Sequence, residues 1–272
     1  MKYKMFVSDF DGTLVRDDGT VSRKNKEVVL RYTQKGGIFA VCTGRMTPSI
    51  LPRVRELGLN GLVASFQGAV VTDIRTGNTL RCSAFEDDLA YRVTGMLEER
   101  GYHTHIYTAD KMYCNVADEA LAIYERVCGV KAEIVPDLEG FARKNALKII
   151  KAVVFVEKEQ RAETEETLAK LFGAACYVTS SAHYLVEVMP AGRNKGEGLA
   201  FLSKYYGIPP CEIAAIGDMN NDIPLVAAAG GKFAVANAEE GLKRIACVVP
   251  ACEDDGVAYA LEHYAMEEDD HE

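Results

Sequence analysis

An apolar run that belongs inside a sheet limits a chain to few architectures, and here such a run closes on two carboxylates: Phe6-Val7-Ser8-Asp9-Phe10-Asp11-Gly12-Thr13-Leu14. Side chains alternate faces along an extended strand, so Asp9 and Asp11, two residues apart, are expected to project toward one cavity. An ordinary aspartate has a pKa of about 3.9 and is ionised at neutral pH. One carboxylate can therefore act as a nucleophile while also binding a cation, and its neighbour can handle protons. Gly12 and Thr13 let the chain leave the sheet edge sharply. An Asp-Gly pair alone is an ordinary turn, and its weight depends on what recurs further along.

Strand signals recur at residues 3–8, 38–42, 62–65, 213–216 and 233–236, alternating with helical patterns at both ends of the chain. That alternation predicts a mostly parallel sheet covered on both faces. The run Gly37-Ile38-Phe39-Ala40-Val41-Cys42-Thr43-Gly44-Arg45 ends in a hydroxyl and an amide, neutral donors suited to phosphate oxygens, and Thr47-Pro48 reads as the next helix start. Further on, Pro190-Ala191-Gly192-Arg193-Asn194-Lys195-Gly196 precedes the helical pattern Leu199, Leu202, Tyr205, Tyr206, closed by Gly207. Lys195 supplies a compact ammonium that can face the negative charge of nucleophile and phosphate. The strand in Glu212-Ile213-Ala214-Ala215-Ile216-Gly217-Asp218-Met219-Asn220-Asn221-Asp222 again ends in an acid, with a second acid four residues along. A strand-end carboxylate such as Asp218 can take a hard cation, which prefers oxygen ligands. Asn221 and Asp222 are expected to orient Lys195 and metal-bound waters. Ligands of open α/β sheets sit beyond the carboxyl ends of the strands, so Asp9, Asp11, Thr43 and Asp218 are predicted to converge.

In their order and spacing these four segments resemble the motifs of the haloacid dehalogenase-like superfamily of phosphotransferases, and in particular its Cof-type branch, mostly small-molecule and sugar phosphatases. The closing segments 234–238 and 254–258 are similar to that branch as well. Gln67-Gly68-Ala69 departs from it, because many relatives carry Asn-Gly-Ala, and the role of Gln67 stays open. The resemblance implies a doubly wound, mostly parallel Rossmann-like α/β core over residues 1–82 and 192–272, with an inserted α+β cap of the C2 type over 83–191. It also implies a magnesium-dependent phosphatase that hydrolyses a small phosphomonoester through an aspartyl-phosphate. Asp9 is then the nucleophile, Asp11 the acid and base, and Thr43 and Lys195 stabilise the transferred group. Phosphate contacts fall to Asp9, Phe10, Thr43, Gly44, Lys195 and Asn221; Mg2+ is held by Asp9, Asp11 and Asp218, with Asp222 behind them. A phosphomutase using the same nucleophile is the alternative, and a non-catalytic phosphate-sensing module ranks last because every catalytic position is filled.

The remaining sequence sets bounds. A chain of 272 residues with 48% hydrophobic content can bury a sizeable core. The net charge of −9 argues against nucleic acid as a partner, which needs clustered Lys and Arg. No apolar run approaches the ~20 residues of a membrane span, and the start runs directly into the first strand without a signal-peptide core. A cytoplasmic monomer or homodimer acting on a phosphorylated metabolite is the expectation. The eight cysteines show no Cys-x-x-Cys spacing, and most are expected as small buried hydrophobes. His103-x-His105 puts two imidazoles on one strand face, with nothing nearby in sequence to complete a metal set. Within the middle region, helix patterns at 88–100, 119–128 and 163–172 mix with strand patterns at 112–116, 151–156 and 184–188. The acidic end at 267–272 is expected to be a disordered tail.

Overall fold

A computed structural model describes residues 1–266; the tail expected at 267–272 lies outside the described residues. The chain opens with β1 (Met5–Ser8), whose four residues are all buried, and α1 (Arg23–Gln34). Ser22 starts that helix by accepting a hydrogen bond from the Asn25 amide at 2.9 Å, as an N-cap serine does. Then come β2 (Ile38–Cys42), α2 (Thr47–Glu56), β3 (Leu62–Ser65), β4 (Val70–Asp73) and β5 (Thr79–Cys82). The middle region contains α3 (Asp87–Glu98), β6 (His103–Tyr107), β7 (Met112–Cys114), α4 (Glu119–Cys128), β8 (Ala132–Ile134), α5 (Leu138–Lys144), β9 (Lys151–Phe155), α6 (Arg161–Phe172), β10 (Cys176–Ala182) and β11 (Leu185–Pro190). The chain returns with α7 (Lys195–Tyr206), β12 (Ile213–Gly217), α8 (Ile223–Ala228), β13 (Gly231–Val235), α9 (Glu240–Lys243), β14 (Cys247–Val249) and α10 (Gly256–Ala260).

Among the described residues two compact units result, one of Met1–Gly44, Leu51–Leu80 and 194–266, the other of Arg45–Ile50 and Arg81–Arg193. The sequence placed residues 45–50 with the first. Within the second unit this segment is held by Arg45 Nη1 donating to the Val127 carbonyl at 3.0 Å and Ser49 Oγ donating to that of Cys128 at 2.6 Å.

The first unit is built on an eight-stranded sheet ordered β14-β13-β12-β1-β2-β3-β4-β5, parallel from β14 to β3 and antiparallel between β3 and β4. From β1 the chain winds outward first through β2 and β3 and later, on the other side, through β12, β13 and β14. The switch point therefore lies between β1 and β12, where ligands of doubly wound sheets bind. The second unit carries a six-stranded sheet ordered β10-β11-β9-β6-β7-β8, antiparallel except for β7 with β8. One face packs Ile106, Tyr113, Val154 and Val188 with Leu97, Leu138 and Leu168 of α3, α5 and α6 in one apolar cluster.

Candidate active site

Asp9 follows β1 directly, and its amide donates to the Ile216 carbonyl of neighbouring β12 at 3.0 Å, so the nucleophile candidate is anchored at the switch point. Lys195, the first residue of α7, is 1% exposed. Its ammonium donates to Asp9 Oδ1 at 2.6 Å and to Asp222 Oδ1 at 2.5 Å. The other Asp222 oxygen accepts from the amides of Asp218 and Met219, each at 3.1 Å, so this carboxylate is fully engaged in holding the lysine and the loop after β12. Thr13 Oγ1 donates to Asp218 Oδ1 at 3.0 Å, fixing the second strand-end acid against the turn after β1. Gly12 makes that approach possible. Its φ is +73°, and a Cβ there would stand 2.5 Å from Asp218 Oδ2.

The loop after β3 adds a strained element. Phe66 and Gln67 both have positive φ, at 50° and 55°, a conformation rare outside glycine and concentrated at functional sites. It places the buried Gln67 amide so that its Oε1 accepts from Asn221 Nδ2 at 3.2 Å. Asn221 Oδ1 is buried without a hydrogen-bond partner, an acceptor held ready for a donor from outside the chain.

Charge is out of balance here. Oxygens of Asp9, Asp218 and Asp222 lie within 4.8 Å of one another. Burial pushes the Asp9 carboxyl up to about 7; the charge of Asp222 and, more weakly, that of Asp11 push the same way, and Lys195 opposes them. Burial, then Asp9 and Asp222, likewise hold Asp218 well above the usual carboxylate range. Burial works against the Lys195 charge, but Asp222 and Asp9 outweigh it and the ammonium is held more firmly than usual.

The structure thus joins Asp9, Lys195, Asp218 and Asp222 directly, with Asn221 beside them. Thr43 and Gly44 stand one strand over, at the end of β2, where the Thr43 amide donates to the Ala64 carbonyl and the Thr43 carbonyl accepts from the Gln67 amide. Phe10 has a buried ring, and its carbonyl accepts from Leu14 and Val15. Asp11, expected as a metal ligand, is not among the three converging carboxylates. The strand stops at Ser8, and the turn from Phe10 to Val15, closed by the Gly12 amide on the Val15 carbonyl at 3.0 Å, removes Asp11 from the strand alternation that the expectation assumed. Asp11 remains close enough for its charge to act on Asp9. The role left open for Gln67 is now visible as the partner of Asn221.

A doubly wound sheet whose switch point carries a buried carboxylate paired to lysine, flanked by two further carboxylates, defines an enzyme of the α/β class with a carboxylate-centred site. The chain belongs to the haloacid dehalogenase-like hydrolase family, which it matches over residues 6–261. It is similar to the phosphatase YwpJ of Bacillus subtilis, 30% identical with 96% of this chain and 99% of the relative covered. It is also 26% identical to the 5-amino-6-(5-phospho-D-ribitylamino)uracil phosphatase YwtE of the same organism, covering 95% and 97%. A solved haloacid dehalogenase-like hydrolase from B. subtilis shares the fold with a TM-score of 0.86 at 24% identity, covering 96% of this chain and 99% of that one. No helix among the described residues is long and apolar enough to cross a membrane.

Proposed function

We propose that this protein is a magnesium-dependent phosphatase acting on a small phosphomonoester through an aspartyl-phosphate on Asp9. The observation that carries the reading is the Asp9 carboxylate at the switch point, kept in place by the Lys195 ammonium at 2.6 Å and set among acids that repel it. Asp9 Oδ attacks phosphorus, and the bond to the leaving oxygen breaks as Asp11 donates a proton to it. Asp11 then takes a proton from a water that attacks the same phosphorus, and Asp9 is released. Lys195 and the Thr43 hydroxyl bear on the equatorial oxygens, where charge gathers and where positioning and electrostatics provide most of the acceleration. Asn221, oriented by Gln67 through its Nδ2, presents Oδ1 to a donor such as a water beside the phosphate.

Three clustered carboxylates against one ammonium suit a hard divalent cation with oxygen ligands. Asp9 and Asp218 would hold it, because both Asp222 oxygens are already spent on Lys195 and backbone amides. When bound, Mg2+ supplies positive charge against the phosphoryl oxygens. Relatives named as phosphatases support this reading.

The experiment is a panel of phosphorylated metabolites incubated with purified protein, reading released phosphate with and without Mg2+. Release from at least one small phosphomonoester, stopped by a chelator and restored by Mg2+, is the expected result; full activity in excess chelator contradicts the metal. Asp218→Ala should raise the Mg2+ needed for half-maximal rate by about 100-fold or more, since even outer-shell changes cost roughly 10–100-fold. For Asp11→Asn, turnover of an alkyl phosphate should fall about 10²–10⁴-fold, the usual contribution of general acid-base catalysis. An aryl phosphate, whose leaving group needs little protonation, should lose less. Equal losses on both would remove the acid role from Asp11.

A further inference from the structure

The second unit holds another set of metal-competent atoms, formed by residues that no step above uses. His103 and His105 lie two apart on β6 and so share a face, and the antiparallel register sets Cys114 of β7 directly opposite His105. The neighbours Ile106 and Tyr113 point to the opposite, apolar face of the sheet. His103 Nε2 stands 3.0 Å from His105 Nε2 and 3.2 Å from Cys114 Sγ, and the three ligand atoms all lie within 4.8 Å of one another. His105 and Cys114 are wholly buried and His103 half-buried. The rings of His103 and His105 both pack on Phe155, at centroid distances of 4.7 and 4.4 Å.

Each member of this cluster also has a polar partner outside it. His103 Nδ1 is 3.1 Å from Asp118 Oδ2, and a carboxylate only accepts, so Nδ1 carries the hydrogen and Nε2 keeps its lone pair. His105 Nδ1 is 3.4 Å from the Tyr107 hydroxyl, which pairs with the Tyr124 hydroxyl at 3.0 Å, so this nitrogen too has a polar partner outside the cluster. Cys114 donates its thiol hydrogen to the Val116 carbonyl at 3.0 Å. With each imidazole hydrogen on Nδ1, two nitrogen lone pairs and a sulfur meet at one point.

We infer that His103 Nε2, His105 Nε2 and Cys114 Sγ bind a borderline-soft divalent cation, with Zn2+ the ion that fits two nitrogens and a sulfur. Tetrahedral zinc, with its usual bond lengths, sets nitrogens about 3.3 Å apart and nitrogen and sulfur about 3.5 Å apart, close to the 3.0 and 3.2 Å seen from His103 Nε2. On binding, the Cys114 S–H bond breaks, the proton leaves to solvent and the thiolate takes the metal. The fourth position falls to water on the side of half-buried His103. Asp118 orients His103 as carboxylates behind zinc-bound histidines do. Its other oxygen accepts from the Leu121 amide at 2.8 Å and caps α4, so the cation would tie β6, β7 and the start of α4 together. The three residues all belong to the second unit, and the test does not depend on the phosphatase reading.

The test uses the full chain, reduced and stripped of metal, with excess Mg2+ present to occupy the acidic centre, titrated with Co2+ as a spectroscopic stand-in for zinc. One equivalent should produce a thiolate-to-cobalt charge-transfer band that one equivalent of Zn2+ removes. Cys114→Ala should abolish the band, and His103→Gln, at a half-buried position, gives a second variant whose fold is easily kept and should do the same. Asp218→Ala should retain it, because an all-oxygen site has no thiolate. Asp118→Asn keeps an oxygen for the Leu121 amide and should weaken Co2+ binding about 10–100-fold. Absence of the band from the unmodified chain, or its survival in folded Cys114→Ala through the exposed Cys82, Cys211 or Cys247, overturns the inference.

Discussion

Replacing Asp9 with asparagine should reduce phosphate release on the order of 10⁴-fold or more in kcat, as removal of a covalent nucleophile does, without unfolding the protein. Asparagine keeps the shape and the oxygen that can accept from Lys195 but cannot form an acyl phosphate. A fall of that size corresponds to about 5 kcal/mol of lost barrier reduction. The stability arm of the experiment has a definite sign. Burial and Asp222 push the Asp9 carboxyl up to about 7, so its charge costs folding free energy near neutral pH, and a neutral side chain removes that cost. The melting temperature should stay level or rise. A folded Asp9→Asn protein that still turns over an aryl phosphate at a substantial rate would refute the covalent route.

Lys195→Met should act on fold and chemistry together. The ammonium is 1% exposed and bonded to two carboxylates, so its loss strands buried negative charge instead of opening a surface pair. Breaking a buried pair from one side costs about 3–5 kcal/mol. For a protein of this size each kcal/mol moves the melting point by roughly 2–4 °C, so a drop of about 6–20 °C is expected, with turnover lost. Adding Asp222→Asn to Lys195→Met should restore part of the stability and none of the activity, because it removes one stranded charge and leaves the phosphate without its cation. An unchanged melting curve for Lys195→Met would show that the pair does not hold the loop after β12.

What the sequence made legible follows from periodicity. Strands such as Met5–Ser8 and Ile213–Gly217 are short apolar runs buried on both faces, and an acid at the end of such a run has only the sheet edge to occupy, so Asp9 and Asp218 could be placed in advance. Asp11 was expected in the same cluster because strand alternation was extended through a turn, and the structure leaves it outside the three grouped carboxylates. Gln67 was unreadable because its position depends on two consecutive left-handed residues, Phe66 and Gln67, whose types do not announce that conformation. The histidine pair was seen on one strand, but its third member depends on hairpin register. That register is set by a turn in which the Thr108 amide bonds the Lys111 carbonyl at 3.0 Å, and a one-residue slip would have carried Cys114 to the other face. β10 was missed for a further reason: Cys-Tyr-Val-Thr-Ser-Ser-Ala is too polar to read as a strand, and its pairing with β11 shifts register between Thr179 and Ala182.

The central position of β1 has a consequence for how the protein comes into being. Its two sheet neighbours are separated by most of the chain, and the Thr13 to Asp218 bond spans 205 residues. During synthesis at about 5–20 residues per second, roughly 10–40 s separate the two sides of the catalytic centre. Throughout that interval β1 can pair with β2 but offers its other edge unpaired, a template for unwanted strand addition. The second unit, whose strands all lie between Arg81 and Arg193, can meanwhile complete its own core. The nascent protein should therefore acquire its insertion first and its enzymatic competence late, in a single closing event when β12 docks. Such a high-contact-order step folds slowly and is the stage at which a chaperone would matter most.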